Sequence, residues 1–280
     1  MAHEIRTLPL AEVPLEDVCQ TLNMAYAGYI VPISFAPLAL GRRIRAENIC
    51  LSSSQLLLLE GQGPAGIMLI ARRGRVSRIA ALGVVPNWRG AGIGRRAVEL
   101  AIDDAVAHGD DRQILEVIET NDAAISTYTK AGFVPVRRLV GYTHVPASSG
   151  EEVVPCSPGD ILPLLERAYP SDASWQASPH CFIGATAPIE AFRTVDGSVA
   201  ALADGSGGVA RLLALAVEPA LQRKGIGRRF IQGLLGRYPD KSWSIPATLP
   251  EFQAAAFLTA TGWTKSSITQ LEMELVPVAS

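Results

Sequence analysis

Two stretches of this 280-residue chain combine residue types suited to holding an anion. "WRGAGIGRR" (88–96) follows the apolar run "RIAALGVVP" (78–86), and "LQRKGIGRR" (221–229) follows "RLLALAVEP" (211–219). A strand feeding a glycine turn at a helix N-terminus aims unpaired N–H groups, and the positive end of the helix dipole, at whatever lies in front. Gly92 and Gly94 let a ligand approach the backbone closely, while Arg89, Arg95 and Arg96 add positive charge. The anion expected is phosphate. Neither copy ends in the Gly-Lys-Ser/Thr of a nucleotide P-loop, and Arg95 and Ala97 stand where a dinucleotide fingerprint needs glycine.

The elements that must carry these turns occur twice. Laying Gly92 on Gly225 superimposes Arg78, Ala81, Leu82, Val84 and Pro86 on Arg211, Ala214, Leu215, Val217 and Pro219, and ten of the nineteen positions 78–96 are identical. This is an internal duplication with a repeat of domain size, too long for a solenoid. Domains over 1–148 and 149–280 are expected, joined in the Pro-, Ser- and Gly-rich segment 146–160. Each half reads α–β–β–β–turn–α–β–α–β. Leu15, Val18, Cys19, Leu22, Tyr26 and Tyr29 mark one face of the first helix; Ser157-Pro158 opens its counterpart. Hairpin turns such as "VDGS" join the strands, so the fold class is α/β: two domains, each a mixed, mostly antiparallel sheet flanked by helices.

Composition bounds the partners. With 48% hydrophobic and 19% charged residues, the chain can bury sizeable cores. A net charge of −2 argues against nucleic acid, and no apolar run approaches membrane-spanning length. Cys19, Cys50, Cys156 and Cys181 form no metal-ligand pattern and read as reduced thiols, so no metal and a cytoplasmic setting are expected.

Arg89-Gly90-Ala91-Gly92-Ile93-Gly94 and Gln222-Arg223-Lys224-Gly225-Ile226-Gly227 resemble the Gln/Arg-x-x-Gly-x-Gly/Ala signature of the GCN5-related N-acetyltransferases. "LEVIETNDAAISTYTKAGF" (115–133) is similar to the closing motif of the same family. The resemblance implies acetyl-coenzyme A as cosubstrate, with its pyrophosphate on the turns, Arg95 and Arg228 included, and its pantetheine arm along Leu82-Gly83-Val84. It implies acetyl transfer to a primary amine of a small molecule or peptide by direct attack in a ternary complex. Such transfer needs a proton acceptor for the ammonium, an oxyanion donor and a proton for the departing thiolate. Tyr128 matches the family's proton-donating tyrosine, Glu116 its base in branches that acetylate α-amino groups, and Asn121 its pantetheine-contacting asparagine. The N–H of Val84 is the expected oxyanion donor. Glu119 rivals Glu116 as base, and Asn121 can equally cap the helix that starts at Asp122.

The second half departs from this pattern. Counting back from Gly262 as from Gly132, Leu258, Glu251 and Pro246 stand where Tyr128, Asn121 and Glu116 stand in the first. The first half is therefore expected to be catalytic and the second a degenerate, coenzyme-binding copy. Two alternatives stay open. The C-terminal copy is the active one in tandem mycothiol synthases, and an acetyl-coenzyme A sensor would bind without turnover. Tyr26, Tyr29 and Phe35 are expected to wall the acceptor cleft.

Overall fold

The structure, a computed structural model, describes residues 5–146 and 153–278. It divides into two units: 1–137 with 271–280, and 138–270. The joint expected over 146–160 falls partly outside the described residues, since 147–152 belong to none of them. The chain instead passes between units inside a strand, and its C-terminal residues belong to the first unit.

The first unit opens with β1 (Ile5–Pro9), α1 (Leu15–Ala25) and α2 (Pro37–Glu47). Three long strands follow: β2 (Ile49–Leu59), β3 (Gly63–Arg73) and β4 (Val76–Val84). Then come α3 (Ile93–His108), β5 (Arg112–Ile118), α4 (Asp122–Lys130) and the start of β6 (Val134–His144). The sheet runs β1-β2-β3-β4-β5, antiparallel except for the parallel pair β4–β5. Two of these elements were not legible as such. β1 is a five-residue edge strand that exists by pairing with β2. α2 is weakly apolar; Pro37 in its first turn and the left-handed cap at Asn48 bound it.

The second unit contains the rest of β6, β7 (Val154–Cys156), α5 (Pro158–Ala168), β8 (Ile189–Arg193), β9 (Val199–Asp204) and β10 (Ala210–Val217). α6 (Ile226–Leu235), β11 (Trp243–Pro250), α7 (Ala255–Ala260) and the first part of β12 (Thr264–Leu275) complete it. Its sheet order is β6-β11-β10-β9-β8-β7, again with one parallel pair, β10–β11. α5 begins with the expected Ser157 cap, closed into a box by Asp160.

Each unit has its own core. In the first, Met68, Ile70, Val98 and Ala101 pack under α3 with Phe133 and with Met273 from the end of β12. In the second, Phe230, Ile231 and Leu234 of α6 pack on Trp243, Leu258 and Trp263. Burial of these side chains, about 1.5–3 kcal/mol for each large one, holds the helices on the sheets.

Candidate functional sites

In both units the parallel strands pair briefly and then part. β4 and β5 pair from Val76–Arg112 to Ile79–Leu115, although β4 continues to Val84 and β5 to Ile118. β10 and β11 pair only at Ala210–Trp243 and Arg211–Ser244. A bulge sits where the pairing stops. Ile70 faces Ile79 and Leu69 faces Ala81, so Ala80 is the extra residue; on β10 the extra residue is Leu213. Ala80 and Leu213 coincide under the Gly92–Gly225 superposition, so the duplication preserved the bulge that re-aims the strand.

The glycine turns close these openings. Gly92 (φ 84°) and Gly225 (φ 79°) are the N-caps of α3 and α6. Gly90 (φ 81°) is matched by Arg223 (φ 64°), so the second turn keeps a left-handed conformation with a residue that pays a steric cost for it. A Cβ on Gly92 would meet no atom within 4 Å, which leaves room in front of the helix N-terminus. Gly94 and Gly227 face the strand as well: a Cβ on Gly227 would lie 3.0 Å from Cγ2 of Val217, and one on Gly94 3.6 Å from Cγ2 of Val84.

The turn's cations divide. Arg89, expected beside phosphate, donates from Nε to the C=O of Val84 (3.2 Å) and from Nη2 to those of Ala25 and Ala27. It ties the end of α1 to the end of β4. Gln222 repeats the first of these bonds, from Nε2 to the C=O of Val217 at 3.2 Å. Arg95 is 83% exposed and reaches Glu99 one helical turn on, while Lys224 and Arg228 are exposed at the second turn.

The aromatic wall assembles as expected. Tyr26 stacks edge-on with Tyr29 at 5.0 Å and lies 5.5 Å from Phe35. Its hydroxyl donates to the C=O of Leu82 at 3.4 Å, so the peptide groups of Leu82 and Val84 face the opening. Ala91 and Ile93 complete the turn, Ile93 buried beneath it. Asn121 caps α4, accepting from the N–H of Ala124, and its side chain also hydrogen-bonds Tyr29. Tyr128 is buried on α4 against Phe133, and burial beside Tyr26 and Tyr29 pushes its hydroxyl well above the ordinary phenol range. It is a phenol held in its neutral form.

Glu116 is not an open carboxylate. Its side chain is 3% exposed and its Oε2 accepts from Arg78 Nε at 2.6 Å. Arg78 also donates to Glu47 Oε2 at 2.6 Å, and Arg43 binds Glu47 Oε1 at 2.9 Å and the C=O of Ala80 at 2.8 Å. Glu116 Oε1 has no partner. Burial raises Glu116 more than Arg78 lowers it. Glu47 and Arg43 escaped the sequence reading, and Arg78, in a hairpin 71–78 read as able to add charge beside the phosphate, is buried between two carboxylates instead. The signal was an arginine inside the apolar run 78–86, since a buried charge requires a buried counter-charge. Glu119 lies half-buried in the turn between β5 and α4.

The second unit encloses a cavity of about 530 Å³ between its parted strands, lined by Leu213, Leu215, Val217, Ile245, Leu249, Phe257 and the turn 222–228. The register bears directly on the counted correspondence. Arg78 faces Ile114 and Arg211 faces Ser244, so Pro246 occupies the place of Glu116. Phe133 N–H donates to the C=O of Tyr128 and Trp263 N–H to that of Leu258, both at 3.0 Å, so no gap shifts Leu258 away from Tyr128. Two polar groups in this cavity went unforeseen: Tyr169, whose hydroxyl accepts from the N–H of Leu215 at 3.2 Å, and Gln253, whose buried Oε1 is unpartnered. Among the described residues no group of three or more His, Cys, Asp or Glu could hold a metal, and no helix is long and apolar enough to cross a membrane.

Comparison with known proteins agrees with this geometry. A GCN5-related N-acetyltransferase from Sphaerobacter thermophilus superimposes with a TM-score of 0.69 at 12% identity, covering 100% of this chain and 97% of that one. A tandem GNAT protein from the clavulanic acid biosynthesis pathway gives 0.69 at 14% identity over 99% and 100% of the two chains. Those identities establish the fold alone. A mycothiol acetyltransferase of Jonesia denitrificans is 38% identical over 71 residues, which span 25% of this chain and 23% of that relative. Residues 28–133 match the acetyltransferase (GNAT) family. That match covers the parted strands, the glycine turn and the Tyr128 helix of the first unit, which is thus similar over 28–133 to the GNAT acetyltransferase family, and the second unit repeats the glycine turn and the fold.

Proposed function

We propose that this chain is an acetyl-coenzyme A-dependent N-acetyltransferase whose first unit transfers acetyl to a primary amine of a small molecule or peptide. The observation that carries the reading is the buried phenol of Tyr128, at the inner side of parted strands whose mouth is a glycine turn on a helix N-terminus. The room in front of Gly92 fits a phosphate group, and the peptide groups of Leu82 and Val84 suit an amide-bearing arm. Residues 90–95 and Asn121 would hold the coenzyme in the first unit, and 222–228 in the second.

When bound, acetyl-coenzyme A supplies an acetyl group activated as a thioester. Val84 N–H faces the opening and stabilises negative charge developing on the carbonyl oxygen. An ammonium that becomes an amide loses two protons. Glu116 Oε1 takes one and passes it to solvent; Tyr128 delivers its hydroxyl proton to the departing sulfur and regains the other. Tyr26, Tyr29 and Phe35 exclude water and favour an acceptor with an apolar body.

A second reading places transfer in the cavity of the second unit, where Tyr169 supplies a phenol from a different element. Thiol release from acetyl-coenzyme A with tyramine and with a tripeptide bearing a free α-amino group tests both. Loss of turnover in Tyr128→Phe with retention in Tyr169→Phe supports the first unit; the reverse ranking moves the chemistry to the second.

A further inference from the structure

The charges behind Glu116 form a graded arrangement. Arg78 is 3% exposed and stands between two carboxylates at 2.6 Å each, from Glu47 on α2 and Glu116 on β5. The carboxylates are unequal. Glu47 has a second cation, Arg43, on its other oxygen, while Glu116 has Arg78 alone and one bare oxygen. Arg43 also anchors the C=O of Ala80, the bulge residue at which β4 leaves β5. α2 therefore connects the bulge to the carboxylate through two arginines and one glutamate.

We propose that Arg78 and Glu47 are positioning residues for the transfer reaction: Arg78 fixes Glu116 with Oε1 left over for the acceptor's proton, and Glu47, with Arg43, draws the guanidinium's charge away from Glu116. The proposal rests on the reading of Glu116 as the base. In its step one N–H bond of the acceptor ammonium breaks, an O–H bond forms at Oε1, and the electron pair stays on nitrogen.

Three observations support this. First, the bonding is directional: Nε serves Glu116 and Nη1 serves Glu47, so the guanidinium plane fixes both carboxylates at once. Second, the two carboxylates are driven apart. Two arginines hold Glu47 down to about 2, whereas burial pushes Glu116 above its ordinary value. Third, the side chain of Glu116 is 3% exposed while the residue as a whole is half-buried, so its accessible surface is main chain at the parted face of β5. The other charged group near Glu116 is Glu272, engaged by Arg137 at 2.9 and 3.1 Å. Glu272 adds negative charge that raises Glu116 further.

The arrangement belongs to the first unit alone. Arg211, the counterpart of Arg78, is 54% exposed and pairs with Asp204 on the neighbouring strand, and Pro246 replaces the second carboxylate.

The test is the pH profile of kcat/KM for the full-length chain with acetyl-coenzyme A and tyramine. Carbon NMR titration of the glutamate carboxyls, with Glu116 assigned by its loss in Glu116→Gln, runs beside it without any acceptor. Glu47→Gln keeps shape and removes a negative charge, so Arg78 acts on Glu116 undivided; the acidic limb and the Glu116 titration should move to lower pH by about one unit. Arg43→Gln should move both to higher pH, because Glu47 then claims more of Arg78. A purely structural role would lower stability in both variants without opposite shifts. Shifts of the same sign, or none, overturn the proposal. An acidic limb that survives in Glu116→Gln overturns the reading of Glu116 as base, whatever the NMR titrations of the other variants give.

Discussion

The hydroxyl of Tyr169 accepts a hydrogen bond from the N–H of Leu215 at 3.2 Å. The corresponding contact in the first unit has the opposite sense: Tyr26 donates to the C=O of Leu82 at 3.4 Å. Each tyrosine directly follows its unit's first long helix, and Leu82 and Leu215 coincide in the repeat. The bond in the first unit leaves the N–H of Leu82 for a ligand, whereas that of Leu215 is taken. The same fold thus presents two different strand surfaces to whatever enters it.

Tyr169→Phe should leave the Leu215 N–H without its partner and cost about 1–3 kcal/mol, the usual penalty for an unsatisfied buried donor. Chemical denaturation followed by the fluorescence of Trp243 and Trp263, both in the second unit's core, reads this directly. An unchanged midpoint would mean that water replaces the phenol at no cost.

Gly92→Val should weaken acetyl-coenzyme A binding at the first unit, and Gly225→Val at the second. Both glycines hold a left-handed conformation that valine adopts only with strain; Gly92 leaves open space that a branched side chain would occupy, and a Cβ on Gly225 would sit 3.7 Å from Nη1 of Arg229. Calorimetry on the full chain distinguishes the two. Each variant should lose one binding event, and an unaltered isotherm in either removes the coenzyme from that turn.

Tyr128→Phe should lower turnover by about 10²-fold or more, the scale of general acid–base catalysis, with little change in coenzyme affinity. Leu258→Ala should leave turnover nearly intact, although it creates a core cavity costing about 2–5 kcal/mol. Comparing kcat with the melting transition in each variant separates chemistry from stability.

Glu47 should make stability depend on acid. Its carboxyl is held at about 2 against an ordinary value of 4.5. A depressed carboxyl contributes stability that is present above the unfolded value and lost as pH falls through the folded one. Wild type should therefore exceed Glu47→Gln at neutral pH by about 3–5 kcal/mol, as for a broken buried ion pair. Urea denaturation at pH 7, 4 and 2 should show that difference shrinking between about 4.5 and 2.

Removal of 271–280 should destabilise the first unit, far away in sequence. Met273 is fully buried in that unit's core, Leu271 and Leu275 pack beside it, and Glu272 binds Arg137. A fragment ending at 148 lacks the same residues, so it should fold poorly by itself. Hydrogen exchange on the shortened chain should show faster exchange in β5 and α3; exchange confined to the second unit would contradict the unit assignment.

The sequence by itself determined the local devices. The glycine turn is a matter of residues a few positions apart, so its conformation, its helix and its repeat were readable from 88–96 and 221–229. Tyr128 and Leu258 could be matched by counting, because a helical turn after a strand has fixed spacing. Tertiary structure decided what those devices face. Arg89, read as a phosphate neighbour, also ties α1 to β4 through backbone carbonyls, and the turn glycine Gly94 also faces Val84 of the strand. Glu116 had the right type and place for a base, but its partner Arg78 lies 38 residues upstream on β4, and Glu47, which shares that arginine, a further 31 residues upstream on α2, so no local pattern could reveal the pair. Met273 is the extreme case: its strand reads as the end of the second half, and the first unit's core supplies the burial that a ten-residue segment cannot provide for itself.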